Sequence, residues 1–282
     1  QEWRNQGVKV KFIVYDLLPT LMPECFPPEA EAMYLEWLET ISMFDGVICI
    51  SKSVANEYTQ WLSSQEGKAA QNRHHEINWF HLGANLIPSF SHKDNKANLE
   101  LPSINFAEAP VFLMVGTVEP RKGHEQVLNA FEYLWESGVN AKLLIVGKQG
   151  WMVEKLVDYI KNHPNLGCEL HWLESVSDEY LSNVYESSVC LIAASFAEGF
   201  GLPLIEAAQY KLPIIARNIP VFNEVAKDSA FYFDFSTSES LANDIDLWLR
   251  NFEKNKHPSS AELPWLTWEE STNQLLKFLT EN

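Results

Sequence analysis

Two carboxylates, Glu198 and Glu206, stand eight positions apart in AEGFGLPLIEAA, residues 197–208, on either side of a Gly199-Phe200-Gly201 turn in an otherwise apolar run. Glycines where a helix begins, here at Leu202, open the backbone amides, and a helix N-terminus favours a phosphate. Glu206 falls in the first turns of that helix between Ile205 and Ala207, where a buried carboxylate is costly unless donors pair with it. A ribose diol supplies two such donors. Glu198, on the loop before the helix, would face the other end of the same ligand; taken alone, it reads rather as a helix-capping acid, which is common.

A second cluster lies in VGTVEPRKGH, residues 115–124, where Gly116 allows close approach to the backbone and Arg121 and Lys122 put two adjacent cations at the mouth of a loop. In an acidic chain, paired cations at a strand exit suit a diphosphate. A solvated loop or a salt bridge at a helix start accounts for them as well. The pattern is not a dinucleotide fingerprint: the third glycine of GxGxxG is missing after Gly201, and the motif falls late in its domain.

The elements that must position these residues alternate along the chain. VKVKFIV (residues 8–14), GVICI and INWFHL read as strands, with helices near 29–43 and from Ser51. The polar, proline-bearing stretch 91–110 reads as a linker. After it come strands at VFLMVG, AKLLIVG, CELHWL, VCLIAAS, LPIIAR and AFYFD. Helices at 124–136, 152–162, 178–188 and 202–210 alternate with them, the third capped by Ser177. Short apolar strands alternating with helices imply a parallel, doubly wound α/β sheet. Its ligands sit beyond the carboxyl ends of the strands, where both clusters fall. The tail has Thr267 with Glu270 three residues later, a capping box that opens a closing helix. The expected domains are 1–105, 106–262 and the closing helix 263–282.

With 282 residues, 46% of them hydrophobic, the chain can fill two cores. Its 38 acidic against 21 basic residues give a net charge of -17, which argues against a nucleic-acid partner. Cys25, Cys49, Cys168 and Cys190 lack metal-ligand spacing, and Cys49 and Cys190 lie in apolar strands, so free thiols in a reducing cytoplasm are expected. No apolar run reaches the length of a bilayer span, and the charged start is not a signal peptide. Without an initiator methionine, the chain is expected to be a piece of a longer polypeptide whose other domains are partners.

VGTVEPRKGHEQVLNAF, LIVGKQG, SFAEGFGLPLIEAAQYKLPIIA and VFNEVA, in this order, resemble the donor-binding domain of retaining glycosyltransferases of family 4, which have the GT-B fold. FDGVICISKSVANEY and INWFHLGANL resemble the second half of that family's N-terminal domain. The resemblance implies two Rossmann-like doubly wound domains, the N-terminal one truncated. It implies that Arg121 and Lys122 grip the donor diphosphate, that Glu206 binds the ribose and that Glu198 contacts the transferred sugar. The amides near Phe200, Gly201 and Leu202, with Gly199 before them, would face sugar and phosphates. EPRKGHEQVLNAFEYLW with VGKQGW is most similar to mannosyltransferases of bacterial O-antigen synthesis. GDP-mannose is therefore the favoured donor, a glycan or lipid-linked glycan the acceptor, and the cytoplasm, with peripheral attachment to the inner face of the membrane through other regions, the place.

No cofactor or metal is expected, because Arg121 and Lys122 carry the charge that a metal would. The Asp244-Ile245-Asp246 triplet sits in an amphipathic helix pattern with Leu241, Ile245 and Leu249 on one face and reads as a solvated surface. His74 and His75 lack ligand spacing, and His124 reads as the start of its helix. The family's His-Asp pair after the first strand is Tyr15-Asp16 here. Base recognition is expected near Gly147–Gly150 or Ser175–Ser177. Three alternatives stay open: a noncatalytic sugar-nucleotide-binding module of a multidomain enzyme, a UDP-sugar transferase, and an epimerase or phosphorylase of similar architecture.

Overall fold

Parallel strands buried on both faces read as continuous apolar runs. Such runs form two separate sheets in the computed structural model, which describes residues 6–64, 75–84, 104–234 and 237–280. The chain divides into two units. One comprises Gln1–Asn85, Ala197–Leu202 and Trp265–Asn282; the other comprises Leu86–Phe196 and Pro203–Pro264.

In the first unit β1 (Lys11–Val14), β2 (Gly46–Cys49) and β3 (Glu76–Trp79) pair in parallel in that spatial order. Helices α1 (Leu18–Leu21), α2 (Ala30–Ser42) and α3 (Lys52–Ser64) connect them. Val14, Leu38, Ile41, Val47, Cys49, Val54 and Tyr58 form the core. Strand β1 begins later than the sequence pattern suggests because its partner begins at Gly46, opposite Lys11. Likewise β3 stops at Trp79, opposite Cys49, the last residue of β2.

The second unit holds six parallel strands: β4 (Val111–Val115), β5 (Lys142–Val146), β6 (Leu170–Leu173), β7 (Cys190–Ala193), β8 (Ile214–Arg217) and β9 (Phe231–Phe233). Their spatial order is β6-β5-β4-β7-β8-β9. The connecting helices are α4 (His124–Glu136), α5 (Glu154–Lys161), α6 (Asp178–Ser187), α7 (Leu202–Gln209) and α8 (Pro220–Ala226). Helix α9 (Ser238–Phe252) returns to pack along α4. Phe112 of β4 meets Phe131 of α4 and Trp248 of α9, each edge-on with ring centres 5.5 Å apart. That geometry suits the aromatic quadrupole. From β4 the chain winds outward in one direction and from β7 in the other. The loops after these two neighbours therefore diverge, and the crevice between them is where doubly wound sheets take ligands.

The closing helix α10 (Trp268–Thr280) groups with the first unit rather than standing apart. Ser271 Oγ donates to His81 O at 2.7 Å, and Lys11 Nζ to Phe278 O at 2.7 Å. Its capping box is formed: Thr267 Oγ1 accepts from Glu270 N, and Glu270 Oε2 accepts from Thr267 N. Ser177 caps α6 by accepting from Tyr180 N. Cys25, Cys49 and Cys190 are buried free thiols, and Cys168 is an exposed one. Among the described residues no helix is long and apolar enough to cross a membrane.

Candidate functional site

The loop leaving β4 carries the paired cations, and its backbone is tied to the neighbouring strand ends. Val118 N donates to Lys148 O at 2.8 Å, beyond β5, and Phe196 N donates to Arg121 O at 2.8 Å, beyond β7. A short 3-10 turn, Pro120–Lys122, leads into Gly123, whose φ of +73° places it in the left-handed region. A β-carbon there would also strike the carbonyl oxygen of Ala194. Only glycine lets this loop lie against the end of β7.

Within the loop the two cations are held differently. An Arg121 guanidinium nitrogen meets Glu119 Oε1 at 2.7 Å, with Glu119 3% exposed and Arg121 15%. Each partner compensates the other's desolvation. The salt-bridge reading of Arg121 thus holds, with Glu119 as its acid. Lys122 instead reaches back across the loop: its Nζ lies 3.8 Å from the place that a β-carbon on Gly116 would occupy. Its ammonium accordingly sits at the carboxyl end of β4.

Beneath this loop lies Arg217, the last residue of β8, fully buried. Its Nε donates to Ala194 O at 2.9 Å, and another guanidinium nitrogen donates to Gln126 Oε1 of α4. The guanidinium stacks 4.1 Å from the ring centre of Phe196 and 4.9 Å from that of Phe233. Burial lowers its pKa to about 10, so it stays charged at neutral pH. Arg217 fastens the β7 exit to α4, and Phe196 passes that support to the Arg121 carbonyl. The sequence signal for it was a charged residue ending a buried strand, which read as an ordinary strand end.

His124 opens α4 and is 2% exposed. Burial first, and the Lys122 charge second, push its pKa down to about 3. The imidazole is neutral at physiological pH and a poor proton acceptor, in keeping with a helix-starting role.

On α7, Glu206 lies among buried Leu204, Ile205, Ala207 and Ala208. Its Oε2 accepts a hydrogen bond from Tyr185 Oη of α6 at 2.7 Å. Burial raises the carboxyl above its ordinary pKa, while the tyrosine bond acts in the opposite sense. The need for a donor was legible in the sequence; its source, 21 residues away on another helix, was not.

Glu198, Gly199, Phe200, Gly201 and Leu202 belong to the first unit. Gly199 lies directly on the Tyr15 carbonyl, so close that a β-carbon has no room, and its own carbonyl accepts from Ser51 Oγ at 2.8 Å. Phe200 is 4% exposed and meets His81 edge-on, ring centres 5.3 Å apart. The glycines of this turn are buried, and the first of them serves close packing against the end of β1. Glu198 is half-buried, whereas Tyr15 is 60% exposed. Ser51, Tyr15 and His81 follow β2, β1 and β3, so the three strand ends of this unit converge on the Gly-Phe-Gly turn.

Among the described residues no three His, Cys, Asp or Glu side chains group as metal ligands. Asp246 pairs with Arg250 at 2.6 Å one helical turn on, and burial with nearby Asp234 raises the Asp244 carboxyl. His75 Nδ1 donates to Phe44 O at 2.9 Å, and its Nε2 lies 3.0 Å from Tyr58 Oη. His74 lies outside the described residues. Ser175 and Ser177 are exposed, and the backbone around Gly147–Gly150 is tied to that of Val118.

Comparison with known proteins agrees with this arrangement. Residues 99–262 match the family model described as glycosyl transferases group 1. The chain is 44% identical over 280 residues to the serotype-specific mannosyltransferase WbdA of Escherichia coli, covering 98% of this chain and 34% of that protein. It is 31% identical over 138 residues to the O-antigen chain mannosyltransferase RfbU of Salmonella typhimurium, 48% of this chain and 37% of the relative. The chain thus spans about a third of the length of the curated relatives it matches. Among solved structures, HepE of Anabaena in complex with UDP and glucose aligns with a TM-score of 0.71 at 16% identity, over 99% of this chain and 73% of that one. Sucrose-phosphate synthase of Thermosynechococcus elongatus aligns with a TM-score of 0.67 at 18% identity, over 98% and 69%. These likenesses establish an α/β fold of the GT-B type. With more than half of its residues matched by the family model, the chain belongs to the glycosyl transferases of group 1.

Proposed function

We propose that this chain is the donor-binding part of a retaining mannosyltransferase. It would take a sugar from a nucleotide sugar, GDP-mannose being favoured, and pass it to a glycan or lipid-linked glycan in surface-polysaccharide synthesis. The observation that carries the reading is the loop after β4, where Lys122 Nζ overlies Gly116 beside an Arg121 held by Glu119. The names of the Escherichia coli and Salmonella relatives favour mannose and O-antigen-type glycans.

In this reading Arg121 and Lys122 hold the diphosphate, Glu206 binds the ribose, and Glu198 contacts the hydroxyls of the transferred sugar. The amides of Gly199, Phe200, Gly201 and Leu202 complete the donor site, and Gly116 keeps the β4 exit open to a phosphate. Breaking the bond from sugar to phosphate leaves negative charge on the diphosphate, and cations already in place there lower the barrier. Those cations take the part that a divalent metal plays elsewhere, so the reaction is proposed to need no metal or other cofactor. The work is proposed to take place on the cytoplasmic side, with membrane attachment left to other parts of a longer polypeptide.

The test is thermal unfolding of the chain with GDP, UDP, ADP and their sugar conjugates. A ligand at 100 times its dissociation constant adds about 2.7 kcal/mol if it binds only the folded state. Selective stabilisation by GDP and GDP-mannose is the expected result. A preference for UDP or ADP would discard mannose while keeping the donor site, and no shift with any of them would overturn the reading.

A further inference from the structure

We propose that Tyr185 is a positioning residue for the donor ribose: its buried hydroxyl holds the Glu206 carboxylate in the orientation that accepts the diol of a nucleoside diphosphate. The inference rests on reading Glu206 as the ribose ligand and adds a residue that this reading lacks.

Helix α7 places one acid among four buried apolar side chains, and a carboxylate so placed tends to turn away or take up a proton. Tyr185 opposes both. It is 1% exposed, and its ring lies parallel to that of Tyr210, within 3° and with centres 5.4 Å apart. Its Oη therefore has little freedom, and it reaches Glu206 Oε2 at 2.7 Å. Burial and the facing carboxylate keep the phenol protonated, so it remains a donor. A phenol donates once, whereas an ionised carboxylate offers about four acceptor directions. One is used on Oε2. Glu206 is half-buried, and among the described residues the hydrogen bond to its carboxylate is the one from Tyr185 to Oε2. Fixed at one oxygen and with acceptor capacity left at the other, the carboxylate is prepared for two hydroxyl donors on adjacent carbons.

A merely structural tyrosine and a positioning one differ in what they do to ribose discrimination. Calorimetric titration of GDP and 2′-deoxy-GDP into wild type, Tyr185→Phe and Glu206→Gln, each below its unfolding transition, separates them. Phenylalanine keeps the ring and its stack on Tyr210 and removes only the hydroxyl. Tyr185→Phe is expected to weaken GDP roughly tenfold, the scale of one hydrogen bond to a charged group. It should leave 2′-deoxy-GDP nearly unchanged, so that the preference for ribose collapses. Equal losses for both nucleotides, or no loss for either, would overturn the role of Tyr185. If Glu206→Gln abolishes the preference while Tyr185→Phe keeps it, only the tyrosine role fails. If Glu206→Gln keeps the preference, or wild type does not bind GDP, the ribose reading of Glu206 fails and the tyrosine role falls with it.

Discussion

Arg121 and Lys122 are neighbours in the chain with different tasks. Arg121 shares its charge with a nearly buried Glu119, while Lys122 extends over Gly116. Arg121→Ala leaves Glu119 buried without this partner, and removing one member of a buried pair costs about 3 kcal/mol or more. A lowered urea midpoint is therefore expected for Arg121→Ala, with partial recovery when Glu119→Gln is added; an unchanged midpoint would show that the pair carries no structural weight. At this scale the sequence disclosed the residues that stand in local patterns. The cations beside a glycine and the lone acid in an apolar helix were legible because their environment is set within a few positions. Glu119 lay in plain view, but nothing in its type distinguishes a buried acid from a solvated one. Tyr185 and Arg217 were hidden for another reason: their partners are 21 and 91 residues away, at distances that only the folded chain brings together.

Helices and strands were the most legible scale, since each carries its own periodicity and end signals. Helix α4 runs from His124 to Glu136 and α6 follows its Ser177 cap, both as their sequences indicate. No helix was expected at α8, a seven-residue element too short for a clear periodic pattern, although its Pro220 suits a first helical turn. Strand lengths were overread because a strand ends where its neighbour ends, as β1 and β3 do beside β2. The capping box of α10 makes a direct prediction. Thr267→Ala removes the acceptor for Glu270 N and should cost about 1 kcal/mol, read as a lower denaturation midpoint. A midpoint equal to that of wild type would mean that the cap contributes nothing to this helix.

For the whole molecule, long-range assembly was the least legible property. Nothing local in residues 265–282 says that they join a unit made otherwise of residues 1–85 and 197–202. The pH dependence of stability also belongs to this scale. His124 has a folded pKa of about 3 against an ordinary 6.5. Between those values the unfolded chain takes up a proton that the folded chain refuses. Its contribution therefore lowers stability as pH falls from 6.5 towards 3, by at most about 1.4 kcal/mol per pH unit. Glu57, raised from 4.5 to about 7 by burial and by Asp16, acts in the opposite sense as pH falls from 7 to 4.5. The difference between wild type and His124→Gln isolates the histidine. The variant should lose less stability than wild type over that range, and parallel urea midpoints from pH 6.5 to 4 would refute the assignment.

The central claim is that the loop after β4 binds a diphosphate through Lys122 and Arg121. Its most direct test is calorimetric titration of GDP and GMP into wild type and Lys122→Ala, the lysine whose Nζ reaches back over Gly116. Wild type should bind GDP at least tenfold more tightly than GMP, and Lys122→Ala should narrow that gap with little change in melting temperature. An equal gap in the two proteins, or equal affinity of wild type for GDP and GMP, would contradict the claim.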